Sequence, residues 1–351
     1  MEKIARVIAF YLPQFHPIPE NDRFWGKGFT EWTNVTKAKP LFRGHHQPNL
    51  PSELGFYDLR VSEVREAQAA LAYEHGIEGF CYWHYWMGNG KLLLERPLQE
   101  VIKSGKPDFP FCVGWANHDW TGIWCGEDSR MLVKMAYLGK KDYEKHFYYL
   151  LDAFADDRYI KVKGKPLFVI FRFHEIPDQE VFIHTFRELA EKEGLGGLHM
   201  IANSNDLSSA LSRGLDGVVH INSRVIEYKE RSIVPLTSTL KKNSLPKIFR
   251  YKDAMKYFIS DNYAEYEYPT IITNWDTTPR KNKDGVVYIG RNHDLFRSHI
   301  KEAINIAVNK SNNNNIVFLK SWNEWAEGNY IEPDIDNGRS YLEVLKEEIF
   351  I

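Results

Sequence analysis

The sequence predicts an α/β fold, a single (β/α)8 TIM barrel over residues 1–351, from three observations. Eight short apolar, β-branched or aromatic runs recur along the chain, and each is followed by polar loop residues and then by a segment with helical spacing. None of the runs leads into the Gly-rich phosphate fingerprint of an open nucleotide-binding sheet. Near-continuous apolar strands separated by helices need cover on both faces, so the strands are parallel, and eight such units close into a barrel. A doubly wound sheet is the alternative that this pattern leaves open.

The predicted strands are RVIAFYLP (6–13), GIEGFCYW (76–83), FPFCVGWA (109–116), PLFVIFRF (166–173), LHMIAN (198–203), GVVHIN (217–222), PTIITNW (269–275) and NIVFLKSW (315–322). Between them, 62–75 places Val64, Ala67 and Leu71 on one helical face, and 180–193 does the same with Phe182, Phe186, Leu189 and Ala190. In 292–309, Phe296, Ile300, Ala303, Ile304 and Ala307 form an apolar stripe, and NKSNNNN (309–315) stops that helix. Two connections are long for βα loops. After strand 1, residues 13–60 carry Trp25, Glu31, Trp32, His45 and His46, with the two histidines expected to make ordinary hydrogen bonds. After strand 6, residues 223–255 carry Lys241, Lys242, Lys247, Arg250 and Lys252 against only Glu227, Glu230 and Asp253. That segment reads as a solvated loop or as a docking surface for a phosphate-bearing, lipid-linked glycan.

Composition narrows the function. Lys plus Arg number 45 against 47 Asp plus Glu, so no overall charge draws the chain to nucleic acid or to an anionic membrane. No run approaches the roughly 20 apolar residues of a membrane span, and the N-terminus lacks the pattern of a signal peptide, so the expected location is the cytoplasm. Cys81, Cys112 and Cys125 have no zinc-type spacing and are expected to be reduced thiols. With no HExxH and no CxxC pair, no metal site is expected. Aromatic residues make up 14% of the chain, and many lie in polar stretches where a sugar ring could stack on them.

In a barrel the residues just past each strand face the active-site mouth. Here these positions hold Tyr11, His84, Trp86, Asn117, His118, Asp119, Trp120, Arg172, Asn203, Asn222 and Trp275, and then Asn323, Trp325 and Tyr330 after strand 8. Amides, carboxylates and an arginine interleaved with Trp and Tyr suit a neutral polyhydroxylated ligand, with Trp25, Glu31 and Trp32 joining from the first loop. Glu324 and Glu327 are three residues apart, ahead of Gly328. On one helical turn both side chains fall on the same side, and two carboxylates at one mouth split each other's pKa, as glycoside cleavage requires.

The stretches YLPQFHPIPENDRFWGKGFTEWTNV (11–35), GFCYWHYW (79–86) and SWNEWAEGNYIEPD (321–334) resemble the WbsX-type polysaccharide biosynthesis proteins, which are related to glycoside hydrolase family 99, the endo-α-mannosidases. The resemblance implies a (β/α)8 barrel acting on glycans, poly- or oligosaccharides, with retention of configuration and with no metal or nucleotide cofactor. It also implies roles within NEWAEG (323–328): Glu324 as the base on the sugar's 2-hydroxyl, giving a 1,2-anhydro sugar, and Glu327 as the general acid and base. The hydrolases read NEWHEG, so Ala326 is a departure. Two other readings stand beside this one. A nucleotide-sugar glycosyltransferase could use Asp334 and Asp336 as a metal-binding DxD, and a non-catalytic glycan-binding protein would need only the aromatic platforms.

Overall fold

The computed structural model describes residues 2–122, 130–233, 245–260, 263–310 and 315–350. The eight barrel strands are β1 (Arg6–Tyr11), β2 (Ile77–Trp86), β3 (Phe111–Trp115), β4 (Lys165–Ile170), β5 (His199–Asn203), β6 (Gly217–Val219), β7 (Glu267–Tyr268 and Thr270–Ile272) and β8 (Ile316–Lys320). All pair in parallel in chain order, and β1 is bonded to both β2 and β8. A doubly wound sheet cannot give that last pairing, because its first strand lies inside the sheet and its last at an edge, with other strands between them.

The ring closes through a break in β7. Pro269 has no N–H to give to a ladder. The residues before it bond β6 and those after it bond β8, while the Pro269 carbonyl accepts from Phe318 N at 3.0 Å.

Helices occupy the predicted segments, over Ser62–Glu74, Gln179–Lys192 and His293–Val308. Gln179–Lys192 buries Phe182, Phe186, Leu189 and Ala190, and His293–Val308 buries Phe296, Ile300, Ala303, Ile304 and Ala307, so the helical stripes face the barrel as their spacing requires. One contiguous apolar core runs from Ala5 to Ile349. Inside the barrel, Phe10 stacks between Trp83 and Phe318, with ring centroids 4.7 and 5.2 Å away.

The loops differ from expectation. The connection after β6 carries regular structure: its strand Lys247–Arg250 pairs with Val286–Ile289, which comes from the connection after β7. A second small core of Ile226, Phe249, Tyr251, Phe258, Trp275 and Tyr288 holds the two connections together beside the barrel mouth. Lys241 and Lys242, like Cys125, lie outside the described residues. Cys81 and Cys112 face each other across β2 and β3, free and buried. His45 makes ordinary hydrogen bonds: Nδ1 accepts from Leu41 N at 3.1 Å, and Nε2 donates to Asp276 at 2.9 Å. Among the described residues, no helix is long and apolar enough to cross a membrane.

Candidate active site

The chain leaves β8 at Lys320 and folds into a narrow hairpin, in which Asn323 pairs with Tyr330 and Glu324 with Asn329. Ser321 Oγ accepts from Glu324 N at 3.0 Å and donates to Asn329 O at 2.5 Å, and Asn323 clamps the hairpin to the start of the first loop through Leu12 N (2.7 Å) and Leu12 O (3.0 Å). The tip, Trp325–Glu327, is one 3-10 turn. Such a turn repeats every three residues, so Glu324 and Glu327 lie one above the other and project on one side. Gly328 makes the exit possible. Its φ is +58°, and a Cβ there would lie 2.7 Å from Asp276 Cβ and 2.9 Å from Asp276 N.

Both carboxylates reach a single buried guanidinium. Arg280, on the turn Thr278–Lys281 of the β7 connection, donates from Nη2 to Glu324 at 3.0 Å, from Nη1 to Glu327 at 2.6 Å and from Nε to Glu31 at 2.7 Å. Gln14 Nε2 holds the other Glu31 oxygen at 3.1 Å, and Lys320 Nζ stands 3.8 Å from Glu327. Three acids, Glu31 and Glu324 buried and Glu327 nearly so, against Arg280 and Lys320 leave one net negative charge, which a single proton would relieve.

The electrostatics say where that proton rests. Burial, reinforced by the Glu327 charge against the pull of Arg280 and Lys320, pushes the Glu324 carboxyl up to about 7. Burial also acts to raise Glu327, but Arg280, Lys320, Lys281 and Arg224 together outweigh it and hold that carboxyl below the ordinary range. The pair titrates as a unit, and its last proton belongs to Glu324. A further buried acid, Glu332, lies under the hairpin, where it accepts from Tyr57 (2.8 Å), Gln68 (2.6 Å) and Trp325 (2.6 Å) and is pushed up to about 7 by burial.

The pair lines a cavity of about 340 Å³ at the C-terminal end of the barrel, large enough for a sugar-sized ligand. Of the residues predicted from sequence, His118, Trp120, Arg172, Asn203 and Trp275 line it with the two glutamates. The others are placed elsewhere, each with a partner that explains its position. Tyr11 donates to Gln68 on the helix layer at 2.7 Å, and His84 and Trp86 also point outward, onto His146 and Asp142. Their neighbours of opposite parity, Trp83 and Tyr85, face the cavity. Asn117 bridges Tyr137 and the backbone of Arg172, and Asp119 accepts from Met135 N. Asn222 accepts from Asn205. Trp32, Trp325 and Tyr330 pack on one another and on Tyr57. Trp25 lies against Phe29, and Glu31 accepts from Arg280 Nε.

Sequence reasoning missed Arg280, Lys281, Lys320 and Arg224. The signal for Arg280 was a charge count: several acids gathered at one buried mouth require a buried cation. Asp334 of the DID stretch is buried and accepts from Tyr330, Asn337 N and Asn337 Nδ2, while Asp336 pairs with His46 at 3.3 Å, and neither lines the cavity. Among the described residues, no group of three or more His, Cys, Asp or Glu side chains could hold a metal ion.

Residues 7–345 match the family described as Glycosyltransferase WbsX. WxcX proteins from two strains of Xanthomonas campestris pv. campestris, strain B100 and strain ATCC 33913, are each 32% identical over 98% of this chain, which spans about half (50%) of their length. An endo-α-mannosidase of glycoside hydrolase family 99 from Bacteroides thetaiotaomicron shares the fold with a TM-score of 0.60 at 16% identity, over 98% of this chain and 96% of that one. A glycoside hydrolase-like protein does so with a TM-score of 0.62, also at 16% identity, over 100% and 95%.

Proposed function

The chain belongs to the WbsX glycosyltransferase family, and from that premise we propose that it is a retaining, metal-independent glycan-active enzyme. It cleaves or transfers α-mannose-like linkages of a bacterial surface polysaccharide, as an endo-glycosidase or transglycosidase. The observation that carries this reading is the gathering of Glu324 and Glu327 on Arg280 at the cavity wall. The fold shared with an endo-α-mannosidase supports the choice of substrate class.

In the proposed first step the sugar's 2-hydroxyl gives its proton to Glu324, and O2 bonds to C1. The C1–oxygen bond to the departing group breaks as Glu327 protonates that oxygen, leaving a 1,2-anhydro sugar. In the second step water or a sugar hydroxyl attacks C1 and loses its proton to Glu327, while the C1–O2 bond opens and O2 recovers the proton from Glu324. Two inversions give retention without a glycosyl ester on the protein, so the usual carboxylate spacing of retaining glycosidases does not apply.

A base whose conjugate acid has a pKa of about 7 suits proton abstraction near neutral pH. Glu327 has to be protonated when the glycosidic oxygen leaves, whereas the resting proton lies on Glu324. The reactive form is therefore the minor tautomer of a singly protonated pair, reached by moving one proton between the two acids.

The test is cleavage of an α-mannan and a panel of bacterial O-polysaccharides in the presence of chelator, with E324Q and E327Q beside the wild type. Oligosaccharide release by the wild type alone is expected, and release that needs a divalent metal, or that survives in both variants, would overturn the reading. The family's description favours a second reading, transfer from a sugar nucleotide. Sugar-nucleotide consumption in place of glycan cleavage would select it.

A further inference from the structure

The cavity is unevenly charged. Among the described residues, five cationic side chains line it, Arg172, Arg224, Arg280, Lys281 and Lys320, against the carboxylates of Glu324 and Glu327 alone. Four of the five have partners: Arg280 its three acids, Lys320 Glu327, Arg172 Glu175 and Arg224 Glu227. Lys281 is different. Its ammonium is half-buried and makes no hydrogen bond or ion pair among the described residues.

Burial, and then the like charge of Arg224, lower the Lys281 pKa, and only Glu327 and Glu227 act against them. A partly desolvated cation beside another cation destabilises the empty site, and an anion brought between them removes that cost. The cations also act unequally on the two acids. Lys281 and Arg224 bear on Glu327, whereas the cations acting on Glu324 are Arg280 and Lys320. Trp83, Tyr85, Ala116, Trp120 and Phe171 give the cavity apolar surface, with His118 and Arg172 beside Phe171.

We propose that the cavity takes an acidic glycan, whose carboxylate or phosphate seats between Lys281 and Arg224 on the Glu327 side of the reacting bond while a sugar face lies on Tyr85 and Trp120. This rests on the glycan-active reading above and names its substrate class. Placed there, the anion lies on the side of the departing group, and both cations hold it without blocking Glu324.

Calorimetric titration of the whole chain with four probes tests this. The probes are a neutral α-mannan oligosaccharide, its phosphorylated form, an oligosaccharide of α-mannose and glucuronate, and the carboxyl-reduced form of the last. One charged probe is expected to bind at least tenfold more tightly than its neutral counterpart, and the pair that shows the gap identifies carboxylate or phosphate. The gap is expected to close in K281M and R224Q and to shrink in 0.5 M salt, but to persist in K301M, which removes an exposed cation remote from the cavity. Equal binding of charged and neutral probes by the wild type would overturn the acidic-substrate inference and leave the glycan reading standing. Absence of binding to all four would overturn both. The ligand comparison on the wild type needs no variant to fold.

Discussion

Arg280 holds more of the site together than any other side chain, because three acids that would repel one another meet on its three nitrogens. Removing one partner of a buried ionic cluster leaves uncompensated charge, which costs far more than the cluster's net worth. R280M is therefore expected to lose about 3–5 kcal/mol of stability by denaturant unfolding, and adding E31Q should recover part of it, because that variant removes one stranded charge. The acids also set a pH dependence. Glu324 and Glu332 have folded pKa values raised to about 7, so the folded state keeps protons that the unfolded chain has already released. Their effect is to lower stability as pH rises from the ordinary carboxyl range to about 7. Glu327, held low, acts the other way: it stabilises above its unfolded pKa, and that contribution is lost as pH falls through its folded value. E324Q should flatten the wild-type loss between pH 5 and 7 by on the order of 2 kcal/mol, read from unfolding curves across that window. An unchanged slope would place the titration elsewhere.

The barrel strands were legible because apolar runs covered on both faces leave a continuous signal, and the Phe182 and Phe296 stripes fixed two of the helices. What stayed hidden was parity. Successive side chains of a strand point to opposite sides, so a polar or aromatic residue near a strand end has even chances of facing the helix layer. In WHYW (83–86) the histidine and the second tryptophan go outward to His146 and Asp142, and Trp83 and Tyr85 go in. Register against the barrel axis decides this, and composition does not carry it. Arg280 stayed hidden for another reason: TTPRKNKDG reads as a solvated turn, and only the packing of the β7 connection against the small strand Lys247–Arg250 turns it inward. The two placements separate in experiment. W86A should behave as a core truncation, losing about 3–5 kcal/mol with little change in glycan affinity per folded molecule. W120A should weaken affinity about tenfold, from the loss of roughly 1–1.5 kcal/mol of stacking. Equal loss of affinity in both would mean that the outward face of β2 reaches substrate.

Only closure of the whole barrel brings the charges of the site within range of one another. Glu31 and Gln14 arrive from the connection after β1, Arg224 from that after β6, and Arg280 and Lys281 from that after β7, while Lys320 ends β8 and Glu324 and Glu327 follow it. The net charge of −2 hides this, because the cavity gathers cations that the rest of the surface balances. The proton on the glutamate pair therefore responds to residues from four separate loops at once, and activity should report that shared field. On a cleaved glycan, kcat/KM is expected to follow a bell, rising as the pair loses its first proton below the ordinary carboxyl range and falling around pH 7 as it loses its last. Lys320 lowers both carboxyls, so K320M should move both limbs toward higher pH. Mere loss of packing would reduce the height of the bell and leave its limbs in place. A shift of both limbs together would assign them to the Glu324–Glu327 pair, and a shift of the alkaline limb alone would mean that the acid limb belongs to a group outside the reach of Lys320.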